Sequence, residues 1–303
     1  MRVTNQLITR NSQARLQSGL QGIDRLREDI SSGIRLRKMS DDPTSASEVV
    51  RVGSSMRAIT QFRKNIDLGL ARAQTEEQTL NQMSNALSRG IELGIGQATA
   101  TSTASTRLIA KQEVDLLISY AVDLGNTKFG DDYLYGGTRS GEKPFRVPPT
   151  AADGFSALTD ASSAPVNPSG AVQVEIGDGK FVTPVHNGTE MYLDTDALEA
   201  LRALSTALGN NDVAAIRAAS DRLTTANDKV QSLVGTQGAR INEMESARTN
   251  LDGLELTLKQ FRADLRDTEV DKAMAELVGK QTLYQAAMSA TSRILGLSLA
   301  NYL

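Results

Sequence analysis

Ser40-Asp41-Asp42-Pro43 is the run with the most chemical potential: two adjacent carboxylates could hold a cation or move a proton. The same four residues also read as a helix start, with Asp42 as N-cap, Pro43 at the first helical position and good helix formers after it. No histidine or second carboxylate cluster stands at a useful spacing nearby, so the helix-cap reading is preferred. His186 is the one histidine, in Pro184-Val185-His186-Asn187-Gly188. With no partner in its local sequence it reads as a solvated loop residue, since a zinc site needs three or four ligands. Asn187-Gly188-Thr189 matches a glycosylation sequon, but Asn-Gly also makes a tight turn, the preferred reading. Gly136-Gly137 reads as a turn or a close-packing pair. Arg35, Arg37 and Lys38 read as a solvated helix end, with an interface patch as the alternative. The chain has no cysteine, which removes disulfides, thiolate metal sites and cysteine nucleophiles. A net charge of −3 argues against a dedicated nucleic-acid binder. The expectation is a protein that is not an enzyme, with no metal or cofactor, no nucleic-acid partner and no membrane insertion.

The elements that would position these residues follow from proline and heptad spacing. Pro43 stands apart, and the other six prolines fall between 144 and 184. Proline breaks helix interiors, so 44–143 and 185–303 are free to be helical and the middle is not. Steps of four and three from Val52 give Val52, Met56, Ile59, Arg63, Ile66, Leu70, Ala73, Glu77, Leu80, Ser84, Leu87, Ile91 and Gly94, mostly apolar, the pattern of a coiled-coil seam. Ile216, Leu223, Val230, Met244, Leu251, Leu258 and Leu265 form a second ladder, interrupted at Gln237. Two such rods are natural antiparallel partners. A helix near 106–128, using Ile109, Leu116, Leu117, Tyr120 and Leu124, is a third candidate, and a short one near 194–208 a fourth.

Both chain ends continue the apolar stripes, with Leu16, Leu20, Ile23, Ile30 and Ile34 at the start and Val270, Met274, Leu277, Tyr284, Met288 and Leu295 at the finish. Each end helix is poorly stable alone, and the pair could bury each other. The middle reads as β: Val172-Gln173-Val174-Glu175-Ile176 alternates, Gly177-Asp178-Gly179-Lys180 is a turn, and Phe181-Val182-Thr183 resumes the extended pattern. The Pro/Ala/Ser-rich stretch 148–171 reads as loop. Seven of the twelve aromatic residues lie between Phe129 and Tyr192, which suggests a small module inserted into an aliphatic helical frame. The first ten residues contain no apolar secretory core, and no run of 18 apolar residues is present.

The end segments resemble a known family. Ile30-Ser31-Ser32-Gly33-Ile34-Arg35-Leu36, with Ser40-Asp41-Asp42-Pro43 after it, is similar to the N-terminal signature of bacterial flagellins and their relatives. Leu283-Tyr284-Gln285-Ala286-Ala287-Met288-Ser289-Ala290 and the final Leu297-Ser298-Leu299-Ala300-Asn301-Tyr302-Leu303 are similar to the other end of that family. Asp131-Asp132-Tyr133-Leu134-Tyr135-Gly136-Gly137-Thr138, Lys143-Pro144-Phe145 and Arg240-Ile241-Asn242-Glu243-Met244-Glu245 resemble its hook–filament junction branch, the hook-associated protein 3 type.

The resemblance implies a mainly α, flagellin-like antiparallel coiled-coil bundle in nested layers. Residues 1–42 with 266–303 would be the inner terminal-helix domain, 43–143 with 194–265 the helical rods, and 144–193 a β-rich outer insert. It implies a structural adaptor between hook and filament, extracellular, exported by the flagellar type III route without a cleaved signal. Its partners would be further copies in a ring or helical array, a neighbouring hook-associated protein, flagellin and an export chaperone. The expected assembly interface is Leu16, Leu20, Ile23, Ile30, Leu277, Tyr284, Met288 and Leu295. The alternatives are a filament flagellin with a small outer domain and a cytoplasmic coiled-coil adaptor.

Overall fold

Six helices carry the chain: α1 (Arg2–Ser32), α2 (Pro43–Gln97), α3 (Ala104–Gly125), α4 (Ala197–Gly209), α5 (Val213–Arg266) and α6 (Val270–Ala300). Between α3 and α4 lie two small antiparallel hairpins, β1 (Lys128–Phe129) with β2 (Asp132–Tyr133) and β3 (Val174–Gly177) with β4 (Lys180–Val182), and a π-helical turn, Thr189–Leu193. The structure, a computed structural model, describes residues 2–138, 140–141, 143–145 and 170–300; within these, side chains are described for residue 7 and from 10 to 293. Most of the predicted loop 148–171 lies outside the described residues. The chain divides into two compact units, Met1–Ala58 with Gly253–Leu303, and Ile59–Asp252.

The helix starts are chemically marked. Thr103 caps α3 in a reciprocal box with Thr106. Asp212 Oδ1 accepts from the N–H groups of Ala214 and Ala215 at the start of α5. These side chains satisfy donors that a helix N-terminus leaves free.

In the unit 59–252, α2 and α5 run antiparallel: Arg63 pairs with Asp252 at 3.0 Å, Ala73 O accepts from Gln237 Nε2 at 3.1 Å, and Ser84 Oγ donates to Asn227 Oδ1 at 2.7 Å. None of the thirteen heptad positions from Val52 to Gly94 is exposed. Gln237, the interruption in the second ladder, is fully buried, and Nε2 also donates to Pro184 O at 2.8 Å. A polar residue at that point ties the 184 segment to both long helices, since its one amide nitrogen donates to a carbonyl on each of the other two.

The third helix spans Ala104–Gly125; of the five residues the sequence suggests, Leu124 is buried and Leu117 packs half-buried against the core, while the other three face away. Ile109, Leu116 and Tyr120 are exposed, Leu116 at 70%, while Ala110, Val114, Ala121 and Val122 are buried. α3 packs against α4, whose Ala197, Ala200, Leu201, Leu204, Ala207 and Leu208 are buried. Small side chains let the two helix axes approach closely, so the alanine face goes inward. At the ends of these helices Arg107 is 4% exposed and gives all of its fork to fixed acceptors: Gln97 O at 3.1 Å, Thr99 O at 2.9 Å and Asn211 Oδ1. It thereby satisfies carbonyls past the end of α2 and fixes the turn into α5.

Tyr135, Phe145 and Tyr192 come from the predicted insert and its border, yet all three are buried with α2, α3, α4 and α5. Phe145 and Tyr192 have ring centroids 4.4 Å apart, and Tyr135 meets Tyr192 edge-on at 6.5 Å. Tyr192 Oη donates to Ala121 O at 2.6 Å. The β3–β4 hairpin packs Ile176 and Val182 against Ile66, Leu70, Ala73 and Met244, and leaves Phe181 exposed. Gly179 at φ +67° makes its turn.

Candidate functional site

The terminal helices form the core of the unit 1–58 with 253–303. α1 and α6 pair antiparallel: a Cβ on Gly19 would touch Tyr284 at 3.4 Å, one on Gly22 would lie 3.7 Å from Lys280, and Ile34 forms a β-bridge with Asp267. Ile23 is buried at 3% exposure, with Leu16, Ile30, Leu277 and Tyr284 half-buried. Leu20 and Met288 are exposed, at 43% and 49%. The side chain of Leu295 lies outside the described ones. The eight residues proposed as an interface therefore divide into members packed within the pair and members facing away from it.

Four further apolar residues of α6 are exposed: Val270, Met274, Val278 and Leu283, the last at 70%. Val278 and Leu283 escaped a seven-residue ladder because they lie off it. A helix apolar on more than one face was the available sign, since such a helix needs more than one partner. These side chains leave apolar surface of α6 open to solvent.

The segment between α1 and α2 is held by charge. Arg37 is paired with both Glu28 and Asp29, and Asp29 is 5% exposed. Arg35 and Leu36 N–H both donate to Arg266 O, and Arg35 Nη2 reaches Leu265 O at 2.9 Å. Arg35 and Arg37 are thus bound inside this unit. Asp41 Oδ2 accepts from Lys38 N–H at 3.0 Å and Oδ1 pairs with Arg25 at 2.9 Å. Asp42 Oδ1 accepts from Thr44 and Ser45 N–H, each at 3.2 Å, and Oδ2 accepts from Ser45 Oγ at 2.5 Å, with Pro43 at the first helical position. The Lys38 N–H holds the Asp41 carboxyl below its ordinary range, and the Ser45 hydroxyl does so first for Asp42. Both carboxylates are spent on helix and turn geometry, which leaves little for cation binding or proton transfer.

His186 corrects its sequence reading. It is 4% exposed, and its partner is Glu76 on α2, fully buried and 110 residues away. His186 N–H donates to Glu76 Oε1 and Oε2 at 3.0 and 3.1 Å, Nδ1 meets Oε1 at 3.0 Å, and Nε2 meets Thr236 Oγ1 at 3.2 Å. Burial pushes the Glu76 carboxyl above its ordinary range, against the opposing pull of His186. The order Thr–His–Glu matches that of an activated nucleophile. Thr236 is exposed, and its Oγ1 also lies 2.9 Å from Leu233 O in its own helix, a second acceptor within reach of its proton. Asn187 and Glu190 cap each other across the π-turn, with Asn187 Oδ1 accepting from Glu190 N–H at 2.9 Å. The sequon asparagine is a structural cap here.

Among the described residues no group of three or more His, Cys, Asp or Glu is arranged to hold a metal, and no helix is long and apolar enough to cross a membrane. Comparison with known proteins gives consistent matches at both ends. The model of the bacterial flagellin N-terminal helical region matches residues 3–140, and that of the bacterial flagellin C-terminal helical region matches 218–303. The flagellar hook-associated protein 3 of Escherichia coli is 22% identical over 285 residues, 90% of each chain. A flagellin of Salmonella rubislaw is 34% identical over 100 residues, 33% of this chain and 20% of that one. A flagellar hook-associated protein structure from Vibrio parahaemolyticus superposes with a TM-score of 0.62 at 17% identity, covering 75% of this chain and all of that one. At that identity the likeness shows a shared fold.

Proposed function

The chain belongs to the bacterial flagellin family, and from that premise we propose that it is the adaptor joining the flagellar hook to the filament. Family membership carries the coarser statement, a structural component of the flagellum that assembles with other flagellar proteins and belongs to a family that is not enzymatic. The observation behind the finer reading is the extent of likeness. Similarity to the hook-associated protein runs through 90% of both chains, insert region included, whereas similarity to the Salmonella flagellin stops at a third of this chain.

In this reading 1–42 with 266–303 form the innermost layer, 43–143 with 194–265 the rods, and 144–193 the outer part. Assembly proceeds helix to helix. Leu20 and Met288, joined by Val278 and Leu283, meet neighbouring subunits in a ring or helical array, while Leu16, Ile23, Ile30, Leu277 and Tyr284 hold the α1–α6 pair together, and Leu295 extends the stripe. Each large apolar side chain taken from water contributes about 1.5–3 kcal/mol, which offsets the ordering of the ends. A hook-associated neighbour and flagellin are the axial partners. The chain leaves the cell by type III export without a cleaved signal, with a chaperone covering α6 beforehand.

Deletion of the gene tests this. The expected phenotype is cells with hooks and no filaments, non-motile, with flagellin released to the medium. Hookless cells, or filaments of normal length, would overturn the adaptor role. The filament-flagellin alternative predicts that purified protein alone polymerises into long filaments.

A further inference from the structure

α1 and α6 are long helices with little fully buried between them. Among their described side chains Ile23, Asp29 and Ala273 are buried, all toward the end where α1 stops and α6 starts. No described side chain from 10 to 22 or from 274 to 293 is buried. A slip of one helical turn, about 5.4 Å, would exchange little apolar burial beyond that of Ile23. Apolar packing alone therefore selects the register of the pair weakly.

The two connections select it strongly, because each caps the helix that the other one leaves. Past α1, Arg35 and Leu36 N–H donate to Arg266 O at 2.9 and 3.1 Å, and Arg35 Nη2 donates to Leu265 O, both carbonyls of the last turn of α5. Past α5, Thr268 N–H donates to Gly33 O at 2.9 Å, and Thr268 Oγ1 donates to Asp29 O at 3.2 Å in the last turn of α1. Carbonyls at a helix end have no donor within their own helix. Ile34 and Asp267 bridge the two connections, and Gly33, at φ +68°, makes the reversal that leads into the bridge. Arg37 then reaches back to α1 and pairs with Glu28 and Asp29. Glu28 is largely in water, so that pair counts for little. Asp29 is buried, and without Arg37 its carboxylate would lose the counter-charge it is bound to.

We propose that the connections 33–37 and 266–268 form a clasp that sets α1 against α6 in one register in the free subunit, with Arg37 as its positioning residue. The pair is then ordered from the clasp outward, by directional bonds near 33 and 268 and by half-buried contacts toward the tips. A fixed register also fixes which side chains face away from the pair, Leu20, Val278 and Leu283 among them. Their use in assembly rests on the adaptor reading, whereas the clasp does not.

A chain without cysteine suits a cross-linking test. Dilute full-length protein carrying Gly22→Cys with Lys280→Cys, positions that face each other, is mildly oxidised, and the intrachain disulfide is followed by non-reducing electrophoresis and mass. Gly22→Cys with Ala287→Cys, about 10 Å further along α6, is the slipped control. The facing pair should close at least about 10-fold faster than the control, and Arg37→Gln should bring the two rates to within about 2-fold of each other. Arg37→Lys, which keeps the charge and loses the fork, should fall between. The unfolding midpoint of the unit 59–252 should not move. Equal closure of the two pairs with Arg37 in place, or a preference that survives Arg37→Gln, would overturn the clasp. If the cysteines disturb the helix pair, hydrogen exchange of the unaltered chain decides. Arg35, Leu36 and Thr268 N–H should be protected in the free subunit, and unhindered exchange there would overturn the clasp. Neither readout involves assembly, so a failure of the clasp and a failure of the adaptor reading are told apart.

Discussion

Gly125→Ala should destabilise the unit 59–252 by about 3 kcal/mol, and Gly125→Leu should leave it unfolded. A Cβ at Gly125 would stand 2.7 Å from Phe145 Cδ2 and 2.8 Å from both Tyr192 Cε2 and Cζ. Real Cβ contacts do not come that close, so something must move. Phe145 is fully buried, and its backbone N–H is bound to Asn126 Oδ1 at 3.0 Å. Tyr192 is held by its bond to Ala121 O. Neither ring has a free direction. A domain with about 5–15 kcal/mol of total stability has little room for such a change. Gly96, a helical glycine with open space at its Cβ position, is the control: Gly96→Ala should be neutral or stabilising by about 0.5–1 kcal/mol. Urea unfolding of the three proteins checks this, and equal effects at the two glycines would contradict the packing argument.

The largest functional effect is expected from Leu20→Asp combined with Met288→Asp. Both side chains are exposed in the free protein, so the α1–α6 pair should keep its helical circular dichroism and the unit 59–252 its unfolding midpoint. Assembly should fail. Each lost apolar contact is worth about 1.5–3 kcal/mol and each buried carboxylate adds a desolvation penalty, so association should weaken by at least about 100-fold. In cells the variant should be recovered in the medium, with swimming abolished. Ile23→Asp is the contrasting change, because Ile23 is buried within the pair and its loss should melt the pair itself. Normal swimming by the double variant would remove these residues from the interface.

Periodicity made the long helices legible because it is local. The steps of four and three from Val52 to Gly94 track the buried face of α2 along its length, and the ladder from Ile216 to Met244 does the same for α5. The polar interruption at Gln237 was visible, but its role was not, since its acceptors Ala73 O and Pro184 O are 164 and 53 residues away. The partner of His186 was hidden for the same reason, and Glu76 sits one residue off the heptad ladder. The reading of α3 held for Leu117 and Leu124 and failed for its other three residues. Ile109, Leu116 and Tyr120 outweigh alanine on any hydrophobicity count, yet the close approach of α3 to α4 selects the alanines. Phe145 and Tyr192 looked like part of an outer module because proline and turn residues surround them, whereas the core they fill is supplied by helices distant in sequence.

The reading of the terminal helices as an assembly surface and of the chain as a junction adaptor meets its most direct test in where the protein sits on the flagellum. Sheared flagella with hooks attached can be labelled with gold-conjugated antibody against the exposed β3–β4 hairpin around Phe181 and viewed by electron microscopy. The adaptor reading predicts a single band of label between hook and filament, and nothing along the filament. Label spread evenly along the filament, or confined to the cell body, would contradict it.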